Sequence, residues 1–279
     1  MLFIVLEKTL SNIENNKITK LMNSVFDKNL TYFENNLNSD DIPTIFIHGV
    51  GLDSSMWDPQ KSYFKNKNVI FYDLLNHGKS KKRFEQLKFE DFNNQLIQLI
   101  RHLNIKKFNL IGFSLGALIA QHFTVKFYNN INKLIIIASV YDRNKEEKEK
   151  VDKRYKKSLE NKSIIDNSIN RWFNQDYLVK NPLIYKYFFN ILAKNTKEDF
   201  LAAYKLFVQS DNYKLDFSNF NMPTLIMTGE NDIGSTPKMS EKLKDQIYNS
   251  KIYIISESKH MAVFEKDDLV NKEISKFLY

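Results

Sequence analysis

Ser114 stands between two glycines in Gly112-Phe113-Ser114-Leu115-Gly116. An apolar, strand-like stretch, Phe108-Asn109-Leu110-Ile111, precedes it. A proline-free helical stretch from Leu115 to Tyr128 follows. A serine at such a strand-to-helix junction suits nucleophilic attack, because the turn is too sharp for relaxed backbone angles and lifts the hydroxyl clear of the chain. Glycines two residues to either side have no Cβ to clash where strand and helix nearly touch. The turn also aims the Leu115 N–H, at the helix start, towards a reacting carbonyl oxygen.

A serine nucleophile needs a base to take its proton and an acid to orient that base. The chain has five histidines. His102 and His122 fall within predicted helices and are read as packing or surface residues. His77 sits in a turn, and His48 heads the first glycine loop; both are read as structural. His260 follows the last predicted strand in a loop and is the predicted base. Asp232, in the turn Gly229-Glu230-Asn231-Asp232-Ile233-Gly234, is the predicted acid. Asp142, a few residues beyond the stretch Leu134–Ile137, is its rival, and Glu230 comes too early on the turn. A second oxyanion donor is expected from the Val50 N–H in His48-Gly49-Val50-Gly51.

These residues need a scaffold that brings loop ends together. All seven glycines fall in four short loops, so each answers a local backbone demand. The runs Thr44–Ile47, Val69–Tyr72, Phe108–Ile111, Leu134–Ile137 and Thr224–Met227 are continuously apolar, as suits strands buried on both faces. Phe89, Phe92, Leu96, Ile100 and Leu103 recur at helical spacing. A last strand is expected at Lys251–Ile255, with helices at Pro237–Ile247 and Asp268–Leu278. Alternating strands and helices imply an α/β architecture, a doubly wound, mostly parallel sheet whose loops gather at one edge. Two short strands, Met22–Phe26 and Leu30–Phe33, with a turn at Asp27-Lys28-Asn29, are expected before it, and Asn35–Asp41 reads as loop. Residues 1–20 receive no assignment.

Residues 143–214 lack glycine and any strand-like run, and are rich in charges and aromatics. They read as a helical cap inserted after the sixth strand, dividing the core into 1–142 and 215–279. Most of the cap aromatics are read as its own core. Trp172 and Phe173 are the candidates for substrate contact.

Composition narrows the partners. With 43% hydrophobic residues, the 279-residue chain can bury a full core. The absence of cysteine excludes disulfides and thiolate metal sites. The opening Met1–Leu6 is apolar but too short for a signal core or a membrane span, so a soluble, cytoplasmic protein is expected. The net charge is +8, yet the lysines are interleaved with acids, as in Arg143–Lys150, which reads as a solvated helix start. Nucleic-acid and membrane binding are not expected; a mild field favouring anionic substrates is. No metal motif and no nucleotide-binding glycine loop occurs, so no cofactor is expected. The partner is then a small molecule, and the protein a monomer or homodimer.

With these residues placed, the chain resembles the α/β-hydrolase superfamily from about residue 20 to the end. His48–Gly51, Asp73–Ser80, Gly112–Gly116, and Gly229–Pro237 with His260-Met261 carry the likeness, in the chain order Ser, Asp, His. Within it the chain is similar to the 3-oxoadipate enol-lactonase-like and carboxylesterase group, through Met56–Gln60, Gly234–Pro237 with Met239, His260–Ala262 with Glu265, and Arg171-Trp172-Phe173. The resemblance implies hydrolysis of a small ester or lactone through an acyl-enzyme, without a cofactor. Carbon–carbon hydrolysis, acyl transfer and cofactor-free perhydrolysis share the fold, and a non-catalytic ligand-binding member is a further alternative. Asn76 departs from the usual glycine in the second loop, and the first twenty residues extend beyond the pattern.

Overall fold

The computed structural model describes residues 22–28, 30–160 and 164–279. Among them eight strands form one sheet: β1 (Met22–Phe26), β2 (Tyr32–Asn36), β3 (Thr44–Ile47), β4 (Val69–Tyr72), β5 (Phe108–Phe113), β6 (Ile131–Ile137), β7 (Thr224–Gly229) and β8 (Ser250–Ile255). Their order is β1-β2-β4-β3-β5-β6-β7-β8. β1 and β2 pair antiparallel and join β4 antiparallel; every other pair is parallel. This is the doubly wound, mostly parallel sheet that the sequence predicts.

The apolar runs become strands because both sheet faces are covered. On β5, Phe108 and Leu110 pack into one apolar cluster, and Ile111 and Phe113 into the other. Leu134 and Ile136 against Ile135 and Ile137 repeat the alternation on β6. Helices α2 (Phe89–His102) and α3 (Leu115–Phe127) cover the first face. The expected stripe on α2 is buried at Phe89, Phe92, Leu96 and Ile100, with Leu103 packed against it. Helix α1 (Asp58–Tyr63) lies before β4. Trp57, just ahead of it, is fully buried on the second face.

Among the described residues five α-helices run between β6 and β7: α4 (Lys145–Leu159), α5 (Ile165–Trp172), α6 (Gln175–Lys180), α7 (Pro182–Ala193) and α8 (Lys197–Val208). Asn144 caps α4, accepting from the Glu147 N–H while Glu147 accepts from the Asn144 N–H. After β7 come α9 (Pro237–Gln246), β8, α10 (Ala262–Glu265) and α11 (Asp267–Leu278). Among the described residues no helix is long and apolar enough to cross a membrane.

One boundary differs from the sequence reading. β2 lies at Tyr32–Asn36 and takes in Asn35 and Asn36, which read as loop. Pairing of Phe33–Asn36 with Tyr72–Val69 explains the difference: the ladder needs backbone groups, not apolar side chains. Residues 1–20 lie outside the described residues.

Candidate active site

Parallel register sets the site. Ile47 pairs with Gly112, Phe113 with Ile137, and Gly229 with Ile255. The strands therefore end near one line, and the loops carrying Val50, Ser114, Asp232 and His260 leave from one edge.

Ser114 occupies the elbow with φ 55° and ψ −115°. A positive φ in a serine is a strained conformation, of order 1–3 kcal/mol, held by its surroundings. The Ser114 N–H donates to the Ile137 carbonyl at 2.9 Å, and its own carbonyl accepts from Ala117 at 3.0 Å. The flanking glycines are explained by contact. A Cβ at Gly112 would lie 2.2 Å from the Gly116 oxygen, and one at Gly116 would lie 2.3 Å from the Ile47 oxygen. Both obstacles are backbone and cannot swing aside. Gly112→Ala is therefore expected to destabilise the fold by about 3 kcal/mol. A urea titration checks this; an unchanged midpoint would contradict it.

His260 Nδ1 and Asp232 Oδ2 are 2.6 Å apart. A carboxylate accepts, so Nδ1 carries the hydrogen and Nε2 is left with its lone pair. The other Asp232 oxygen, Oδ1, accepts from the N–H groups of Gly234 at 2.8 Å and Ser235 at 3.0 Å, which fixes the carboxylate plane. Close approach of the two loops depends on Gly229, where a Cβ would stand 2.2 Å from the Lys259 oxygen. The His260 ring lies 5.0 Å from that of Phe113 and 6.2 Å from that of Trp172. Asp142 is elsewhere. It is exposed and paired with Lys242 at 2.6 Å. The Glu230 carboxylate accepts from the Glu257 N–H at 2.9 Å, bracing the same turn.

Ser114, Asp232 and His260 line one cavity of about 740 Å³, with Gly49, Val50 and Trp172. Neither the Val50 nor the Leu115 N–H is engaged in the loop and turn hydrogen bonds of the described residues. Trp172 presents its ring to the cavity, but Phe173 does not. Phe173 follows the end of α5 in extended backbone, so its side chain points away from that of Trp172. It packs among Tyr177, Phe188 and Phe264. The helical segment is tied to the histidine loop. The Met261 N–H donates to the Trp172 carbonyl at 3.0 Å. Asn174 Nδ2 donates to Glu265 Oε1 at 2.7 Å and to the Glu257 carbonyl at 2.8 Å.

Two buried histidines hold the Val50 loop. His48 Nε2 accepts from the Leu74 N–H at 2.9 Å, so its Nδ1–H donates to the Gly49 carbonyl at 2.8 Å. His77 Nε2 accepts from the Gly51 N–H at 3.0 Å, and its Nδ1–H donates to the Leu75 carbonyl at 2.7 Å. Burial lowers His48 to about 4. Burial, then the neighbouring His48, lowers His77 to about 3. In the unfolded chain both take protons near 6.5, where the folded protein does not. The stability they confer is thus complete above about pH 6.5 and is lost as pH falls towards 4. Urea midpoints should fall over that range, and His77→Gln should flatten the slope; a pH-independent midpoint would contradict the assignment. Asn76, at φ 61°, takes the left-handed place usual for glycine. Its side chain donates to the Phe84 carbonyl and accepts from the Phe84 N–H, at 2.7 and 2.9 Å.

The sequence reading missed a group of arginines on this cavity. Arg143, Arg154 and Arg171 all line it. Arg143 opens the run that reads as a solvated helix start, but it is buried and its Nε donates to Asp211 Oδ2 at 2.6 Å. A signal existed for Arg154: it shares a face of α4 with Val151 and Ser158, both buried.

Comparison with known proteins agrees with the fold. A model of the α/β hydrolase fold family matches residues 43–267, and the chain belongs to that family. It is 28% identical over 264 residues to an (E)-2-((N-methylformamido)methylene)succinate hydrolase of Acinetobacter baylyi, covering 94% of this chain and 98% of that one. It is 22% identical to the 3-oxoadipate enol-lactonase 2 of the same organism, covering 82% and 86%. Its fold is similar to that of the enol-lactonase from Burkholderia xenovorans LB400, with a TM-score of 0.79 and 20% identity over 89% of this chain and 96% of that one.

Proposed function

We propose that the protein is a serine hydrolase cleaving a small carboxylic ester or lactone through an acyl-enzyme. One observation carries the reading: His260 and Asp232, joined at 2.6 Å, share a cavity with the strained Ser114. Asp232 holds the His260 Nδ1–H, which leaves Nε2 as the base for the Ser114 hydroxyl. The Ser114 oxygen attacks the carbonyl carbon, and the Val50 and Leu115 N–H groups receive the developing oxyanion. Collapse breaks the C–O bond, and the leaving oxygen takes the proton from His260. Water then gives a proton to His260 and attacks the acyl carbon, releasing the acid and restoring Ser114. Residues 143–214 act as a cap, with Trp172 against the acyl group and Phe173 in the apolar packing of the cap.

A second reading has the same serine cleaving a C–N or C–C bond beside a carbonyl. The relative named for a formamido-bearing succinate favours it, because the alignment spans nearly all of both chains. The test is a panel of short esters, lactones and N-acyl compounds, with product analysis and Ser114→Ala as control. Serine-dependent turnover of esters or lactones is expected. Turnover confined to the N-acyl compounds would favour the second reading.

A further inference from the structure

The cavity that holds Ser114 and His260 also gathers cationic side chains, and some of their donors are left unpaired. Five cations line the cavity: Arg143, Lys150, Arg154, Arg171 and Lys259. Arg143 is paired with Asp211, and Lys150 with Glu146 at 2.6 Å. The remaining lining carboxylates are also engaged: Glu147 by the Asn144 N–H, Glu230 by the Glu257 N–H, and Asp232 by His260. Among the described residues Arg154 and Arg171 have neither an ion-pair partner nor a side-chain hydrogen bond. Arg154 Nε and Arg143 Nη1 are buried donors with no acceptor. A buried donor left unpaired costs about 1–3 kcal/mol, more when charged, so native proteins keep few of them.

The three guanidiniums are neighbours. Burial and then the adjacent Arg154 hold Arg171 below its usual range. Arg143 is lowered mainly by burial, with Arg154 again acting on it. Arg154 therefore acts on both of the others, and all three line the cavity. Asp232 also acts on Arg171, and both line the cavity. Tyr204 acts electrostatically on both Arg143 and Arg171 and lines the same cavity. Like charges gathered in a partly dry wall repel, and a fold gains nothing from them alone. An anion bound there would satisfy the orphan donors and offset the repulsion, and guanidiniums match a carboxylate with paired N–H groups.

We propose that Arg154 and Arg171, with the free Nη1 of Arg143 beside them, seat a carboxylate of the substrate, so that the enzyme selects acyl compounds bearing an anionic group remote from the scissile bond. This deepens the hydrolase reading and rests on it for the word substrate; the anion site itself does not.

The test uses the full-length protein and two matched esters, monomethyl succinate and dimethyl succinate, which differ in one carboxylate. The kcat/KM ratio is expected to favour the monoester by at least about 100-fold, because a site built for a charged group rejects the analogue that leaves its donors unpaired. In Arg154→Gln and Arg171→Gln the ratio should fall towards one, and Arg154→Lys should keep part of it. Calorimetry of succinate against Ser114→Ala supplies a readout without turnover. Binding should weaken with salt and vanish with Arg154→Gln added. Melting temperatures of the glutamine variants should hold or rise, since repulsion is relieved, whereas a structural role would lower them. Succinate binding without cleavage of either ester would overturn the ester hydrolase reading and leave the anion site standing. Equal cleavage of both esters, with no succinate binding, would overturn the anion site and leave the hydrolase reading standing.

Discussion

Ser114→Ala should leave a folded protein whose turnover of its best ester falls on the order of 10⁴- to 10⁶-fold. The fold survives because alanine has a Cβ in the same place and meets the same φ of 55°, and the elbow is held by backbone bonds to Ile137 and Ala117. The chemistry does not survive, because the attacking oxygen is gone while His260, Asp232 and the N–H groups at Val50 and Leu115 remain. What is left is binding and oxyanion stabilisation without a nucleophile. Steady-state kinetics beside a melting curve check both halves. Activity within about tenfold of wild type would remove Ser114 from the mechanism.

The next largest effect is expected at Asp232. In Asp232→Asn the side-chain oxygen stays with the Gly234 and Ser235 N–H groups, which already bind Oδ1. The new NH2 then faces His260 Nδ1, where a carboxylate oxygen stood at 2.6 Å. An N–H cannot accept, so Nδ1 must become the acceptor and the proton moves to Nε2. The imidazole then has no lone pair for Ser114. A loss in kcat of about 10⁴ is expected from the wrong tautomer alone, with little change in folding. Nitrogen-15 NMR of the ring reports the tautomer directly. Asp142→Asn is the control: Asp142 is exposed and paired with Lys242, so its loss should leave kcat near wild type. A large loss from Asp142→Asn and none from Asp232→Asn would reverse the assignment.

Ser114, Asp232 and His260 were legible as loop positions because each follows a strand-like run, the first two runs buried throughout and the third at the sheet edge. Such runs fix both the sheet and the edge at which their loops emerge. The scarcity of glycine helped. Gly112, Gly116 and Gly229 remain where a Cβ would meet backbone at 2.2 or 2.3 Å, so they marked the crowded turns. The helices between β6 and β7 were legible as helices but not in their facing. Trp172 and Phe173 are adjacent in sequence and share an apolar cluster, yet the helix ends between them and only Trp172 also lines the cavity. The arginines were hidden for a related reason. Arg143 heads a run of mixed charge that is exposed almost throughout, and acceptors distant in sequence, Asp211, Ser210 and the Phe207 and Val208 carbonyls, draw it inward. Asn35 and Asn36 show the converse: polar residues become a strand because β4 offers them a ladder.

The most direct test of the central claim is to ask which atom is acylated. Wild-type protein would be treated with a fluorophosphonate, a phosphorylating mimic of the acyl donor, and its intact mass and peptides read by mass spectrometry. A single adduct on the peptide bearing Ser114 is expected, absent from Ser114→Ala and strongly slowed in Asp232→Asn. No adduct at all, or one that persists on another residue in Ser114→Ala, would contradict a mechanism built on the Ser114 elbow.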